Sequence, residues 1–382
     1  MPFVFNRNKR FFSATAALIG TMVGVGVFGI PFSFAKAGFW VGFLFLFLTG
    51  FLTLVVNFMF GEVVLRTKER HQMVGYAGLY LGPMWRRVMF LAVILSIYAA
   101  MLAYIIISGD FLSNILSPFF YLSNTAYSYF FAVILSFLLL AGLKRISVVE
   151  LVLTALFVFV VLMVFGFGIP KINLGNLQTV NQEFWFLPYG ILLFAFAGMS
   201  SIPIQREILR GAENKLKKSI FWAVLLVGIL YLLFAFTVVG VSGEVTSSDA
   251  VTGLFEFLGN KIVVLGSMFG VLAVGTSFLM LGSALDEVFR WDYGFKKGWS
   301  WLLTILPPFL LFVVGLRTFI DVISLAGSLA IGLTLLILIF TYMAAKTKGD
   351  RSPEYNLSIP KWFLYSMAAL FAAGIVYVLV LG

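Results

Sequence analysis

The stretch Gly20-Thr21-Met22-Val23-Gly24-Val25-Gly26-Val27-Phe28-Gly29-Ile30-Pro31 lies inside an apolar run over residues 12–37. Four glycines and a proline are poor helix formers, so the chain is expected to unwind near residue 25. A second run, 184–208, carries the same kind of interruption at Ala197-Gly198-Met199-Ser200-Ser201, followed by Pro203. In hydrocarbon an unpaired backbone amide or carbonyl costs several kcal/mol, so non-helical chain at membrane depth persists only where it lines a cavity. Two such breaks in corresponding halves point to a binding site near the bilayer midplane.

Composition agrees with membrane burial along the whole chain. Hydrophobic residues make up 62% of the 382 and charged residues 11%, and the mean hydropathy of +1.06 excludes a soluble domain. Runs long enough to cross a hydrocarbon layer of about 30 Å recur at 12–37, 39–65, 86–113, 126–143, 147–169, 184–208, 217–241, 261–289, 299–316, 320–345 and 361–381. The reading is an all-α polytopic membrane protein of eleven transmembrane helices forming one domain over 1–382. Residues 12–169 form one half and 184–345 the other, their breaks and long third and eighth spans offset by about 175 residues. Because five spans is an odd number, the second half enters from the opposite side. That gives a 5+5 inverted repeat with discontinuous helices 1 and 6, to which span 361–381 is appended.

Charge orients the chain. With a cytoplasmic N-terminus, 22 of the 26 Lys and Arg residues share one side, Lys144 and Arg145 among them; Lys36, Lys171, Lys261 and Arg317 lie opposite. This is the asymmetry of the positive-inside rule, and it places the C-terminus outside a plasma or inner membrane. The net charge of +10 is then attraction of basic loops to anionic lipid, not to nucleic acid. The basic, apolar N-terminus reads as an uncleaved first helix rather than a signal peptide. With no cysteine there is neither a disulfide framework nor a thiolate metal site, and nothing in the chain demands an obligate protein partner.

Two loops are expected to be structured. Residues 247–259 begin with Ser and Asp and carry Val251, Leu254, Phe255 and Leu258 at helical spacing, which predicts an external amphipathic helix capping the cavity. Residues 70–82, with the sole histidine His71 and with Tyr76, Leu79 and Tyr80, predict an interfacial or gate-side helix in which His71 is solvated.

Gly24-Val25-Gly26-Val27-Phe28-Gly29 formally matches the dinucleotide fingerprint, but that motif needs a preceding strand and a ribose-binding acid, and both are missing. Gly20 and Gly24 also match the helix-packing spacing, which does not account for the repeat of the break at Gly198 and Pro203. An unwound turn frees amides at the start of one half-helix, beside its positive dipole end, and carbonyls at the end of the other. A carboxylate suits the first and an ammonium the second. The amides of Val25 and Gly26 are expected to take the carboxylate, and the carbonyls of Met22, Phe194 and Ala197 the ammonium, of a small-molecule amino acid. Thr21, Gly24, Ala195 and Gly198 complete the breaks, and Tyr98, Met101, Phe194, Phe196 and Met199 are the candidate pocket walls. In the eighth span Ala273, Thr276 and Ser277 allow two readings. Either the hydroxyls bond back to their own helix, or they join the carbonyls of Gly20, Val23 and Ala273 in a neutral five-oxygen cage for Na⁺.

On Gly20 to Gly26 with Pro31, on Gly61-Glu62-Val63 to Arg66, and on Phe194 to Gly198 with Pro203 and Glu207, the chain resembles the amino acid, polyamine and organocation transporter superfamily. Within it the chain is similar to the amino acid/auxin permease branch and its bacterial aromatic amino acid permease relatives. The resemblance covers 12–345 and implies a leucine-transporter-type fold, in which an ion sits between the first and eighth helices; Ala273, Thr276 and Ser277 have the spacing of its ligands. Proton-coupled relatives often place a Lys of the fifth helix there, and none occurs between Arg145 and Lys171. Ile30 stands where some relatives carry the Arg of an Arg-Asp external gate; Arg317 and Asp321 are the candidate substitutes. The expected function is import of neutral amino acids by alternating access, coupled to Na⁺ or alternatively to H⁺ through Glu62, Asp110 or Glu183. A non-transporting amino-acid sensor would use the same cavity. A membrane enzyme would need a nucleophile, a ligand cluster or an acid pair, and the spans supply none.

Overall fold

The computed structural model describes residues 7–141, 146–291 and 294–381, so Lys144 and Arg145 lie outside the described residues. Among those described, all regular structure is helical. The α-helices are α1 (Arg7–Met22), α2 (Gly26–Ala37), α3 (Phe39–Leu65), α4 (Met73–Leu81), α5 (Pro83–Leu116), α6 (Asn124–Ala141), α7 (Ile146–Gly168) and α8 (Leu187–Ala195). They continue with α9 (Ile202–Ile208), α10 (Leu216–Ser242), α11 (Phe255–Leu258), α12 (Asn260–Trp291), α13 (Lys297–Val314), α14 (Phe319–Leu325), α15 (Gly332–Lys348) and α16 (Lys361–Leu381). Counting α8 with α9, and α14 with α15, as single spans, nine stretches among the described residues are long and apolar enough to cross a membrane. The bent pair α1–α2 makes ten.

Two packed groups build the core. In one, α1 lies on α10 and α9, α2 on α8 and α10, and α3 on α10, α15 and α8. In the other, α5 is flanked by α12, α6 and α4, with α13 against α12 and α5. The helix α8 is drawn in by small residues: Gly190 faces Ser324 and Ser328, and Gly327 lies on the Gly190 carbonyl. Gly327 belongs to a π-helical turn, Ala326–Ile331, that interrupts the tenth apolar run between α14 and α15. Close backbone approach through small residues is how helices gain packing in a membrane, where apolar side chains have no preference for one another over lipid.

At the end of the bundle that carries Arg66 and Lys346, the connection from α15 to α16 lies across α3. Glu62 is fully buried; its carboxylate meets Arg66 Nε at 2.8 Å and Lys346 Nζ at 2.9 Å, and accepts the Leu357 amide at 2.7 Å. The Tyr355 hydroxyl donates to the Phe58 carbonyl at 2.6 Å. Burial, and the Glu62 charge beside it, push that phenol well above its ordinary pKa, so it stays a donor.

The two loop expectations fare differently. The helix α4 forms with Tyr76 and Tyr80 buried and Leu79 exposed; His71 is half-buried, with its ring edge-on to Tyr76. In 247–259 the amphipathic helix is cut short. Asp249 accepts the Thr252 amide after a left-handed Ala250, φ 60°, and only a 3₁₀ turn, Thr252–Leu254, and α11 follow. The carboxylate caps the chain locally, and the α-helix begins only at Phe255. Val251 and Leu254 nevertheless turn inward, lining an apolar cavity with Phe28, Val160, Phe234 and Phe269.

Candidate functional site

Both breaks form. Between α1 and α2 the axes bend by 57°. The Gly24 amide turns back to the Met22 carbonyl at 2.9 Å, and the next turn closes from Val27 to Gly24 and from Phe28 to Val25. Among the described residues this leaves the amides of Val25 and Gly26, and the carbonyls of Gly20, Thr21 and Val23, without a hydrogen-bond partner. The free amides stand at the N-terminal, positive end of the twelve-residue α2, where a carboxylate is favoured. The Thr21 side chain is spent locally, donating to Ala17 at 2.8 Å.

The second break runs from Phe196 to Gly198, then through a 3₁₀ turn, Met199–Ser201, into α9. Ala197 N bonds Phe194 O at 3.2 Å and Ser201 N bonds Gly198 O at 3.1 Å. Among the described residues the amides of Gly198, Met199 and Ser200 and the carbonyls of Phe196 and Ala197 have no partner. Phe194 and Ala197 are half-buried, and Ala195, Phe196, Gly198 and Met199 buried.

The breaks interlock. A Cβ added at Gly26 would stand 2.9 Å from Ala195 Cα and 3.0 Å from the Phe194 ring. One added at Gly198 would stand 2.7 Å from both Leu18 and Met22. Tyr231 of α10, fully buried, joins them: its hydroxyl is 2.7 Å from the Met22 carbonyl and 2.9 Å from that of Ala195, the last residues of α1 and α8. The sequence reading missed Tyr231. Its signal was the single tyrosine of the run 217–241, a phenol that must find a partner for its hydroxyl when buried.

The geometry places several of the expected residues. The Met22 carbonyl already accepts from Tyr231 and from the Gly24 amide, so both its lone pairs are engaged. Phe196 is no open wall: its ring lies over Gly50 of α3 and Gly228 of α10, 5.3 Å from the Tyr231 ring. Tyr98 gives its hydroxyl to the Leu303 carbonyl of α13 at 2.7 Å, since a hydroxyl in an apolar setting takes the acceptor within reach. Met101 is buried against Gly282 of α12. The α5 side chain that reaches the first break is Tyr104, whose hydroxyl lies 3.6 Å from the Cβ position of Gly24, one helical turn from Met101.

On α12 the Thr276 hydroxyl donates to Leu272 at 3.0 Å and to Ala273 at 3.1 Å, the self-bonding arrangement. Ala273, Thr276 and Ser277 are half-buried, as are Gly20 and Val23. Their two helices share α7 as a packing neighbour. Of the charged candidates, Arg317 turns to the Phe312 carbonyl and ring rather than to Asp321. Asp110 accepts from Asn124 at 2.6 Å, and Glu183 is exposed.

Comparison with known proteins follows the same lines. The sequence matches the model of the Tryptophan/tyrosine permease family over residues 7–380. Among curated proteins it is 24% identical over 338 residues to "Tyrosine-specific transport system 1" of Haemophilus influenzae, covering 83% of each chain. It is 27% identical over 357 residues to "Tyrosine-specific transport system 2" of the same organism, covering 85% of this chain and 84% of that one. The fold is shared with the crystal structure of MhsT in complex with L-phenylalanine, at a TM-score of 0.63 and 15% identity over 97% of this chain and 98% of the other.

Proposed function

We propose, from the premise that the chain belongs to the tryptophan/tyrosine permease family, that it is a secondary active importer of neutral amino acids with aromatic or apolar side chains. One observation carries the reading: two helices are interrupted side by side, Gly26 against Ala195 and Gly198 against Met22, and among the described residues both breaks leave main-chain donors and acceptors without partners. The substrate carboxylate takes the Val25 and Gly26 amides. The ammonium takes the carbonyl of Ala197 with that of Thr21, Met22 being engaged by Tyr231. Phe194 and Tyr104 flank the side chain. The two tyrosine transport systems of Haemophilus influenzae support an aromatic substrate.

The working cycle is alternating access around this site, in eleven spans built as a 5+5 inverted repeat plus α16, with α7 as the fifth span. The basic end that carries Arg66 and Lys346 is cytoplasmic. Na⁺ is the coupling ion, held by Thr276 and Ser277 with the carbonyls of Gly20, Val23 and Ala273; H⁺ is the alternative.

The test is uptake of radiolabelled L-tyrosine, L-tryptophan and L-phenylalanine into proteoliposomes under an imposed Na⁺ or H⁺ gradient. Accumulation against a concentration gradient when inward Na⁺ is imposed is expected. Accumulation with H⁺ alone moves the coupling to protons, and binding without flux makes the protein a sensor.

A further inference from the structure

We infer that Thr53 and Asn57 of α3 hold ordered water against the back of the second break, making Asn57 a positioning residue for the Phe196–Ser201 segment. Both side chains are almost completely buried, at 1% and 0% exposure. Among the described residues the Thr53 hydroxyl and both polar atoms of the Asn57 amide have no hydrogen-bond partner. Buried polar side chains are nearly always satisfied, so three orphaned atoms one helical turn apart require an explanation.

Their register supplies it. Gly50, Thr53, Asn57 and Val64 follow one another at spacings of three, four and seven, which puts them on one face of α3. At one end of that face, a Cβ at Gly50 would meet the Phe196 ring at 3.2 Å. At the other, the Val64 carbonyl accepts from Arg206 at 2.6 Å. While α3 runs from 50 to 64, the facing chain runs from 196 to 206. Thr53 and Asn57 therefore stand at the level of the unwound segment, where among the described residues the Gly198 and Met199 amides and the Phe196 carbonyl also lack partners.

Orphans on both sides of one niche are complementary, and the ligand that joins them must both donate and accept. A cation would leave the Asn57 Nδ2 group unpaired, and an anion would leave Oδ1 unpaired. Water satisfies both, as buried water does where polar groups cannot reach each other directly. The second break is thus supported from α10 by the Tyr231 hydroxyl and from α3 through solvent.

The sign of a substitution tests this without any transport measurement. If Asn57 were merely an orphan, the near-isosteric Asn57→Leu would be neutral or stabilising. If it holds water for the break, full-length protein in nanodiscs should show amide hydrogen exchange at least tenfold faster in 196–202 for Asn57→Leu, with α6 unchanged. Asn57→Ser, which leaves room for a second water, should stay within about threefold of the parent, and Thr53→Val should fall between. Unchanged or slower exchange in Asn57→Leu would overturn the assignment. Should Asn57→Leu fail to fold, the parent's own high-resolution map decides. Density for water within hydrogen-bonding distance of Asn57 and of a backbone atom in 196–200 supports the niche, and a dry contact there overturns it.

Discussion

Gly26 and Ala195 meet backbone to side: the space a Cβ would need at Gly26 is already occupied by the Cα of Ala195, 2.9 Å away. The first residue of α2 and the last of α8 are therefore fixed against each other, and the free amides of one break stand beside the freed carbonyls of the other.

Gly26→Leu should abolish L-tyrosine binding while leaving membrane insertion intact. The added side chain must push α8 away or fill the site, and Ala195 Cα cannot rotate aside. Binding by scintillation proximity on purified protein checks this; normal affinity would mean that the glycine's role ends at packing.

Tyr231→Phe removes the donor shared by the Met22 and Ala195 carbonyls and leaves two buried acceptors short. A buried group so stranded costs about 1–3 kcal/mol. Both the thermal midpoint and the maximal uptake rate should fall. A variant with parental uptake kinetics would show that the tether is not needed in the cycle.

Thr276→Ala combined with Ser277→Ala should raise the sodium concentration for half-maximal uptake. Removing two hydroxyls from a five-oxygen site leaves carbonyls that cannot close around a small cation. Sodium titration of uptake reads it out, and an unchanged half-maximal concentration would remove these residues from the ion site.

Glu62→Gln strips the negative charge from between Arg66 and Lys346. Breaking a buried pair by removing one partner leaves cations without a counter-charge. Lys346 is 28% exposed, so solvent recovers part of the loss and a destabilisation of about 2 kcal/mol is expected. The thermal midpoint in detergent should drop and residues 349–360 should exchange amide hydrogens faster. An unaltered midpoint would mean that Tyr355 secures the segment without the carboxylate.

Most of the spans, the breaks and the family were legible in the residues alone, because each is set by a short-range rule. Apolar length fixes what can cross the lipid, glycine and proline fix where a helix cannot continue, and α3 and α16 begin and end where the apolar pattern says. The fates of individual side chains were not legible, because a hydrogen bond is chosen among neighbours brought from distant parts of the chain. Tyr231, 209 positions from Met22, took the carbonyl reserved for a ligand. Tyr98 turned to α13, Phe196 sank between two glycines, and Asp249 shortened the helix after it. Periodicity identifies which groups must find partners; only the packed bundle decides which partners lie within three ångströms.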